Sequence, residues 1–134
     1  MLSNTIEKGT EFKIRMKVHF NEDIQEPIMA YTFKNIKGTE ITGTNTMFEK
    51  AQVARSGAGD ECTVTFTQNM DLQGGEYLLS MSCTGFEQGE HVVYHRLYDV
   101  TSITVISNKN TVGVYDMESQ VKAQKLEGQG EKTS

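Results

Sequence analysis

The chain has 134 residues, 37% hydrophobic and 23% charged, with a formal net charge of −5 at pH 7. These values are typical of a single globular domain, and the negative charge argues against a nucleic-acid partner, which would favour a basic surface. No stretch approaches the roughly 20 apolar residues of a membrane span, so we predict no direct membrane insertion. The first eight residues lack the apolar core of a signal peptide, so we expect a reducing compartment and free thiols at Cys62 and Cys83.

Alternation of apolar and polar residues predicts strands along most of the chain. The clearest strand covers residues 11–20, where Phe12, Ile14 and Met16 alternate with charged residues. About eight short strands at this spacing indicate an all-β fold, an immunoglobulin-like antiparallel β-sandwich, with a jelly-roll variant as the alternative. The predicted strands are residues 11–20, 27–34, 39–46, 61–68, 76–84, 91–99, 101–107 and 111–115.

Composition divides the chain into three parts. We predict an N-terminal lead or linker at residues 1–8 and a β-sandwich carbohydrate-binding domain at residues 9–116. Residues 117–134 contain few large apolar side chains, so we expect a flexible tail, a frayed helix followed by disorder.

Residues 69–75 are predicted to carry the chain from one sheet to the other. A leucine and two glycines precede an alternating apolar run that begins at Tyr77. At such a corner the tyrosine ring is buried and its hydroxyl bonds back to the backbone. We therefore predict this role for Tyr77.

No set of residues predicts catalysis, a metal site or a cofactor. His91 and His95 would share one face of a helix, but the intervening Val-Val-Tyr favours a strand, where they would be roughly 13 Å apart. Residues 128–133 faintly resemble a phosphate-binding loop, yet the chain ends where the required helix would begin. We predict no catalytic residue and no bound metal.

Two groups of residues are candidates for ligand binding. If Val93 and Leu97 point into the core, the opposite face of the strand carries Tyr94, Arg96 and Tyr98. Two aromatic rings can contact the apolar face of a sugar ring, and a guanidinium can donate hydrogen bonds to its hydroxyls. The alternative is the ordinary preference of tyrosine for strands, and a bulge would reverse the parity.

Asn45 is the second candidate. Its amide has the groups to bind a pair of sugar hydroxyls. The alternative is a bond to nearby backbone at a bend.

The order of several small motifs resembles the C-terminal domain of the Wzt-type ATP-binding subunits of polysaccharide ABC exporters. The likeness runs from about residue 9 to residue 107. The motifs that carry it are the amphipathic strand after Lys8-Gly9-Thr10-Glu11, the Pro27-to-Phe33 strand with Lys37-Gly38, Gly43-Thr44-Asn45-Thr46, Leu72 to Leu79, Tyr98-Asp99, and Ile103-Thr104-Val105.

The resemblance implies a non-catalytic carbohydrate-binding module that recognises a polysaccharide before export. Its implied partners are the exporter's permease and ATPase domain, and its implied location is cytoplasmic, at the inner face of the cell membrane through the transporter. It also implies homodimers, with residues 111–115 as the strand that could be exchanged. Family members carry an N-terminal ATPase domain that this sequence lacks, so either an excised domain or a stand-alone relative is expected.

Two other functions compete with this one. An adaptor sandwich would bind a protein through an open sheet edge. An enzyme is the least favoured alternative, because no set of catalytic groups occurs at the spacing that catalysis requires.

Overall fold

The computed structural model describes residues 2–51, 53, 57–87 and 90–126, and only the backbone is described for residues 2–3, 86–87 and 90–100. This part of the chain contains seven β-strands in two facing sheets. No helix that could cross a membrane occurs in this part. The strands are β1 (Leu2–Glu7), β2 (Glu11–His19), β3 (Ile28–Asn35), β4 (Glu40–Asn45), β5 (Glu61–Asn69), β6 (Gly75–Glu87) and β7 (Glu90–Ile106).

The two sheets are unequal in width. Sheet A has five strands in the order β1-β7-β6-β3-β4, and sheet B has two, β2 and β5. All neighbouring strands are antiparallel except β1 and β7, which run parallel. The predicted all-β sandwich is therefore confirmed, whereas the purely antiparallel arrangement is not, because β1 enters at the edge beside β7.

The core lies between the sheets and is built by the alternation seen in the sequence. Aromatic rings join the sheets: Tyr31 and Phe33 of sheet A contact Phe66 and Phe12 of sheet B at centroid distances of 5.0 and 6.2 Å, edge to face. Such pairs add about 0.5–1.5 kcal/mol each beyond the area they bury. Buried aliphatic side chains surround them, including Ile14, Met16, Met29, Met70, Leu79, Ile103 and Val105.

At one end of the sandwich, the two connections between the sheets bond to each other. These are the β1–β2 turn and the β5–β6 crossing. Gly9 N donates to Met70 O at 2.8 Å, and Met70 N donates to Thr10 O at 2.9 Å. Lys8 N donates to Ile106 O, also at 2.8 Å, which joins the turn to the end of β7. The buried backbone groups here are thus paired, as stability requires.

The opposite end has the same design. The connection after β2 meets the connection before β5, where Phe20 N donates to Asp60 O at 2.9 Å and Gly59 N donates to Phe20 O at 2.7 Å. Ala58 N also donates to a carboxylate oxygen of Asp23 at 2.9 Å. Sheet B is therefore fixed at both ends by paired connections.

The β5–β6 crossing confirms the predicted corner at Tyr77. The ring is buried, with 7% of the residue exposed, and the hydroxyl donates to Gln73 O at 2.6 Å. Burial raises the pKa of this phenol.

Both cysteines are free thiols, as predicted. Cys83 is buried in sheet A. Its pKa is raised mainly by burial and to a smaller extent by the nearby Cys62. Cys62 of sheet B is half-buried.

The C-terminal segment folds back over the crossing. Tyr115 forms an isolated bridge with Leu72, and Asp116 N donates to Asp71 O at 3.2 Å. The Asp116 carboxylate, 5% exposed, pairs with Lys8 and with Lys109, the latter at 2.9 Å. Lys8 contributes most to holding the pKa of Asp116 well below its usual range, and Asp116 raises the pKa of Lys8.

Two of the strand predictions were wrong, and one strand was not predicted. Residues 1–8, predicted to be a lead or linker, contain strand β1. The polar sequence of this segment did not predict a strand, but β1 pairs with β7 at the edge of sheet A. Residues 91–99 and 101–107, predicted as two strands, form one strand, β7. Its pairing with β6 shifts register between residues 97 and 101, where the break was predicted. Residues 111–115 form a bend with a single bridge, since Gly113 has φ +85°.

The predicted tail also differs where it is described. Residues 117–126 contain no helix, and all of them are exposed. The predicted disorder beyond residue 126 lies outside the described residues.

Two substitutions at Tyr77 test the corner. Tyr77→Phe removes the bond to Gln73 O and should lower the free energy of unfolding by about 1 kcal/mol. Tyr77→Ala also leaves a cavity and should lower it by about 3–5 kcal/mol. Denaturant unfolding measures both, and equal, negligible losses would contradict the role assigned to the corner.

Candidate functional site

The backbone of β7 carries three of the predicted binding residues. Tyr94, Arg96 and Tyr98 lie within this strand, but their side chains are outside the described residues. Their shared role in binding therefore stays a prediction. The strand itself confirms the extended structure expected around His91 and His95.

Strand register relates Arg96 to Asn45. Arg96 pairs with Ser82, Ser82 pairs with Ala30, and Ala30 pairs with Asn45. The four positions form one row across β7, β6, β3 and β4. At about 4.8 Å between neighbouring strands, the backbones of Asn45 and Arg96 are roughly 14 Å apart. Two candidate positions that are distant in sequence thus fall at one level of sheet A.

Register shifts occur at both predicted tyrosines. Thr84 pairs with Val93 and Cys83 with His95, so Tyr94 is an extra residue between them. A second shift covers Tyr98, which lies between pairs formed by residues 97 and 101. Simple alternation along β7, the basis of the predicted common face, is interrupted at these two points.

The outer face of sheet A forms a shallow groove beside this row. Small side chains form part of its lining: Ala30 and Thr32 alternate with the buried Tyr31 and Phe33 on β3, and β6 contributes two serines. One part of the groove has a volume of about 200 Å³ and a second about 360 Å³. Residues common to both parts are Ala30, Thr32 and Glu40. We call this feature the sheet A groove.

Phe48 is a candidate that the sequence analysis missed. It lines the sheet A groove with Asn45, and 70% of the residue is exposed. An aromatic ring beside a groove of small side chains provides the flat apolar surface that a sugar ring can contact. No sequence pattern indicated it, because Phe48 lies at the start of an irregular connection.

The Gly43-Thr44-Asn45-Thr46 motif has a structural role at every position. A Cβ on Gly43 would lie 2.5 Å from Tyr31 O, so only glycine permits this approach of β4 to β3. The Thr44 hydroxyl donates to a carboxylate oxygen of Glu49 at 2.7 Å. Thr46 is buried, and its hydroxyl accepts from a backbone amide of β3 at 3.2 Å.

Asn45 makes the local bond named as its alternative. Its side-chain oxygen accepts from Phe48 N at 2.7 Å, which fixes the turn after β4. This bond also positions Phe48 at the groove. A role of Asn45 in sugar binding remains a prediction, and the geometry shows only its structural role in the turn.

In the described part of the chain, two cavities lie at the open sides of the sandwich, because the two-stranded sheet B is too narrow to cover the five-stranded sheet A. One of about 400 Å³ lies beside Met16, Phe20, Ile24 and Met81. The other, about 330 Å³, is lined by residues that include Phe12, Phe33 and Tyr115. Among the described residues, no three or more His, Cys, Asp or Glu side chains are grouped so that they could hold a metal ion.

Comparison with known families identifies the domain. The sequence profile of the Wzt C-terminal domain matches residues 2–117, most of the chain. The chain belongs to the Wzt C-terminal domain family. The matched range includes β1 and ends just after the bridge at Tyr115, so both features are part of the family domain. No curated protein matches the chain in sequence.

A solved structure agrees with this family fold. The chain is similar to a crystal structure of the C-terminal domain of wzt, with a TM-score of 0.81 and 24% sequence identity. The likeness covers 90% of this chain and 74% of that one. At this identity the comparison establishes the fold alone.

Two substitutions at Asn45 separate its structural role from a direct role in binding. Asn45→Asp keeps an oxygen that accepts from Phe48 N, so stability should change little, whereas Asn45→Ala should lose about 1 kcal/mol. Denaturant unfolding measures both. If Asn45→Asp retains polysaccharide binding and Asn45→Ala does not, the residue acts through the turn. Loss of binding in a fully stable Asn45→Asp variant would instead assign the contact to its amide N–H groups.

Proposed function

We propose that this domain is a non-catalytic carbohydrate-binding module that recognises a polysaccharide for export by an ABC transporter. The observation that carries the proposal is the family match over residues 2–117. The sheet A groove supports it independently, because it joins an exposed aromatic ring to several hydroxyl-bearing side chains.

The proposed site extends from β4 to β7 across sheet A. Phe48 provides a ring for the apolar face of a sugar, and the turn bond from Asn45 holds it at the groove. Arg96 stands at the other end of the row, with Tyr94 and Tyr98 on the same strand as further proposed contacts. A path of roughly 14 Å along the row accommodates more than one sugar unit, which suits a polymer better than a monosaccharide.

The proposed partners follow from the same family context. They are the polysaccharide, the exporter's permease and its ATPase domain. We place the domain in the cytoplasm, peripheral to the inner face of the membrane through the transporter.

We also propose a homodimer in which residues 111–115 are exchanged. In one chain this segment contacts the crossing through the Tyr115 bridge, the bonds between Gln73 and Thr111, and a bond from Gln73 N to Val114 O at 3.3 Å. Val112, Met117 and Val121 nearby are at least 80% exposed, and burial of such apolar side chains favours association. Light scattering should give twice the chain mass, and a monomer at all concentrations would contradict the exchange.

Calorimetric titration with polysaccharide from the source organism tests the function. Wild type should bind with weak affinity per site, and Phe48→Ala should lower the association constant by about tenfold through loss of the stacking surface. Tyr94→Ala, Arg96→Ala and Tyr98→Ala should each weaken binding as well. Two sites in a dimer would strengthen binding to one long chain.

A matched control is available at the β3–β4 turn. Ile36 is 71% exposed and does not line the groove, so Ile36→Ala should bind as wild type does. If the variants at Phe48, Tyr94, Arg96 and Tyr98 all remain folded and bind like wild type, the site is elsewhere. If wild type binds no polysaccharide but retains a protein partner, the adaptor function replaces this one.

A further inference from the structure

The outer face of sheet B carries a regular row of positive charge. Lys13, Arg15 and Lys17 occupy alternate positions of β2, and each is exposed because the residues between them face the core. Successive side chains on this face are about 7 Å apart, so the row is roughly 13 Å long. On a chain of net charge −5, it is a local reversal of sign.

A row of hydroxyl groups runs beside these cations on β5. Register pairs Lys13 with Thr67, Arg15 with Thr65, and Lys17 with Thr63. Directly opposed residues have Cβ atoms about 5 Å apart and share one face of the sheet. The three threonines are exposed, so the face repeats one pair, a cation and a hydroxyl, three times. We call these six residues the cationic ladder.

Two cations of the ladder have no charge partner. Within the described part of the chain, neither Lys13 nor Arg15 forms an ion pair, whereas Lys17 lies 3.5 Å from a Glu61 carboxylate oxygen. Glu11 and Glu61 stand at opposite ends of the ladder. The unpaired positive charge therefore lies at Arg15, the centre of the ladder, and at Lys13, the end farther from Glu61.

We propose that the cationic ladder binds a polysaccharide whose sugar units carry carboxylate groups. This proposal rests on the proposed carbohydrate-binding function and names an acidic class of glycan, held on a second face of the domain. Each cation–threonine pair matches a unit that has a carboxylate and a hydroxyl. Arg15, at the centre, can bind a carboxylate with two parallel hydrogen bonds.

The ladder's shape argues for a polymer and against other anions. A small anion would contact only one or two of three evenly spaced cations. The exposed positions of β2 and β5 include no Phe, Tyr or Trp ring on which nucleic-acid bases could stack. None of the exposed large hydrophobic residues of the described chain lies on β2 or β5, as a membrane-binding face would require.

The acidic probe is a set of polygalacturonate oligosaccharides, and the neutral probe is the same set after methyl esterification. Wild type should bind the acidic probe more tightly than the neutral one at low salt, and added salt should remove the difference by screening. Lys13→Gln with Arg15→Gln should weaken binding of the acidic probe by about tenfold or more. Its denaturation midpoint should stay near that of wild type, since both side chains are exposed.

A second double variant controls for net charge. Lys37→Gln with Lys122→Gln removes the same two charges at exposed positions away from sheet B and should bind the acidic probe like wild type. Equal loss in both double variants would overturn the proposal, as would no loss in either. It would also fail if Lys13→Gln with Arg15→Gln aggregates while binding normally, because the cations would then serve only to protect the edge strand.

Polysaccharide from the source organism distinguishes this proposal from the proposed function. If wild type binds neither that polysaccharide nor either probe, both fail. If it binds that polysaccharide through the sheet A groove while the ladder variant retains full affinity for the acidic probe, only the ladder proposal fails.

Discussion

Paired connections at both ends of the sandwich fix the position of sheet B over sheet A. A two-stranded sheet alone is marginally stable in water, so it depends on packing and on its ends. At one end Gly9 and Met70 bond the β1–β2 turn to the β5–β6 crossing, and at the other Phe20 and Gly59 join the remaining connections. Every core contact between the sheets, including the ring contact of Tyr31 with Phe66, requires this placement.

The same constraint leaves the outer faces of both sheets available for binding. Because the connections bond to one another at the ends, neither outer face has to be covered to complete the fold. Sheet A presents a groove of small side chains with Phe48 at its margin, and sheet B presents the cationic ladder. The two faces differ in chemistry, one suited to ring contact and one to charge. A long glycan that reaches both would gain affinity from the second contact without any change in the first.

Sequence alone predicted what depends on alternation and local turn chemistry. The strands β2, β3, β5 and β6 have clear apolar periodicity, and the Tyr77 corner follows from local sequence. It missed what depends on distant partners. The polar strand β1 exists because β7 offers an edge, and β7 continues through its register shifts because β6 pairs on either side of them.

The candidate site shows the same division. Asn45 and Arg96 were recognisable as residue types, but the row that relates them requires the register of four strands. Phe48 had no periodic context, and its exposure is set by the turn bond to Asn45. The charges of β2 were visible as the exposed face of an amphipathic strand. Their pairing with three threonines needed the β2–β5 register.

We propose that the exposed sheet faces bind the glycan while the paired connections stay unchanged. Two-dimensional amide NMR spectra of the domain, recorded during titration with polysaccharide from the source organism, test this proposal. We expect shifts for Ala30, Phe48 and Ser82 on sheet A, with no change for Met70 and Gln73 at the crossing. Shifts confined to the crossing and to residues 111–126, or none on sheet A despite measurable binding, would contradict it.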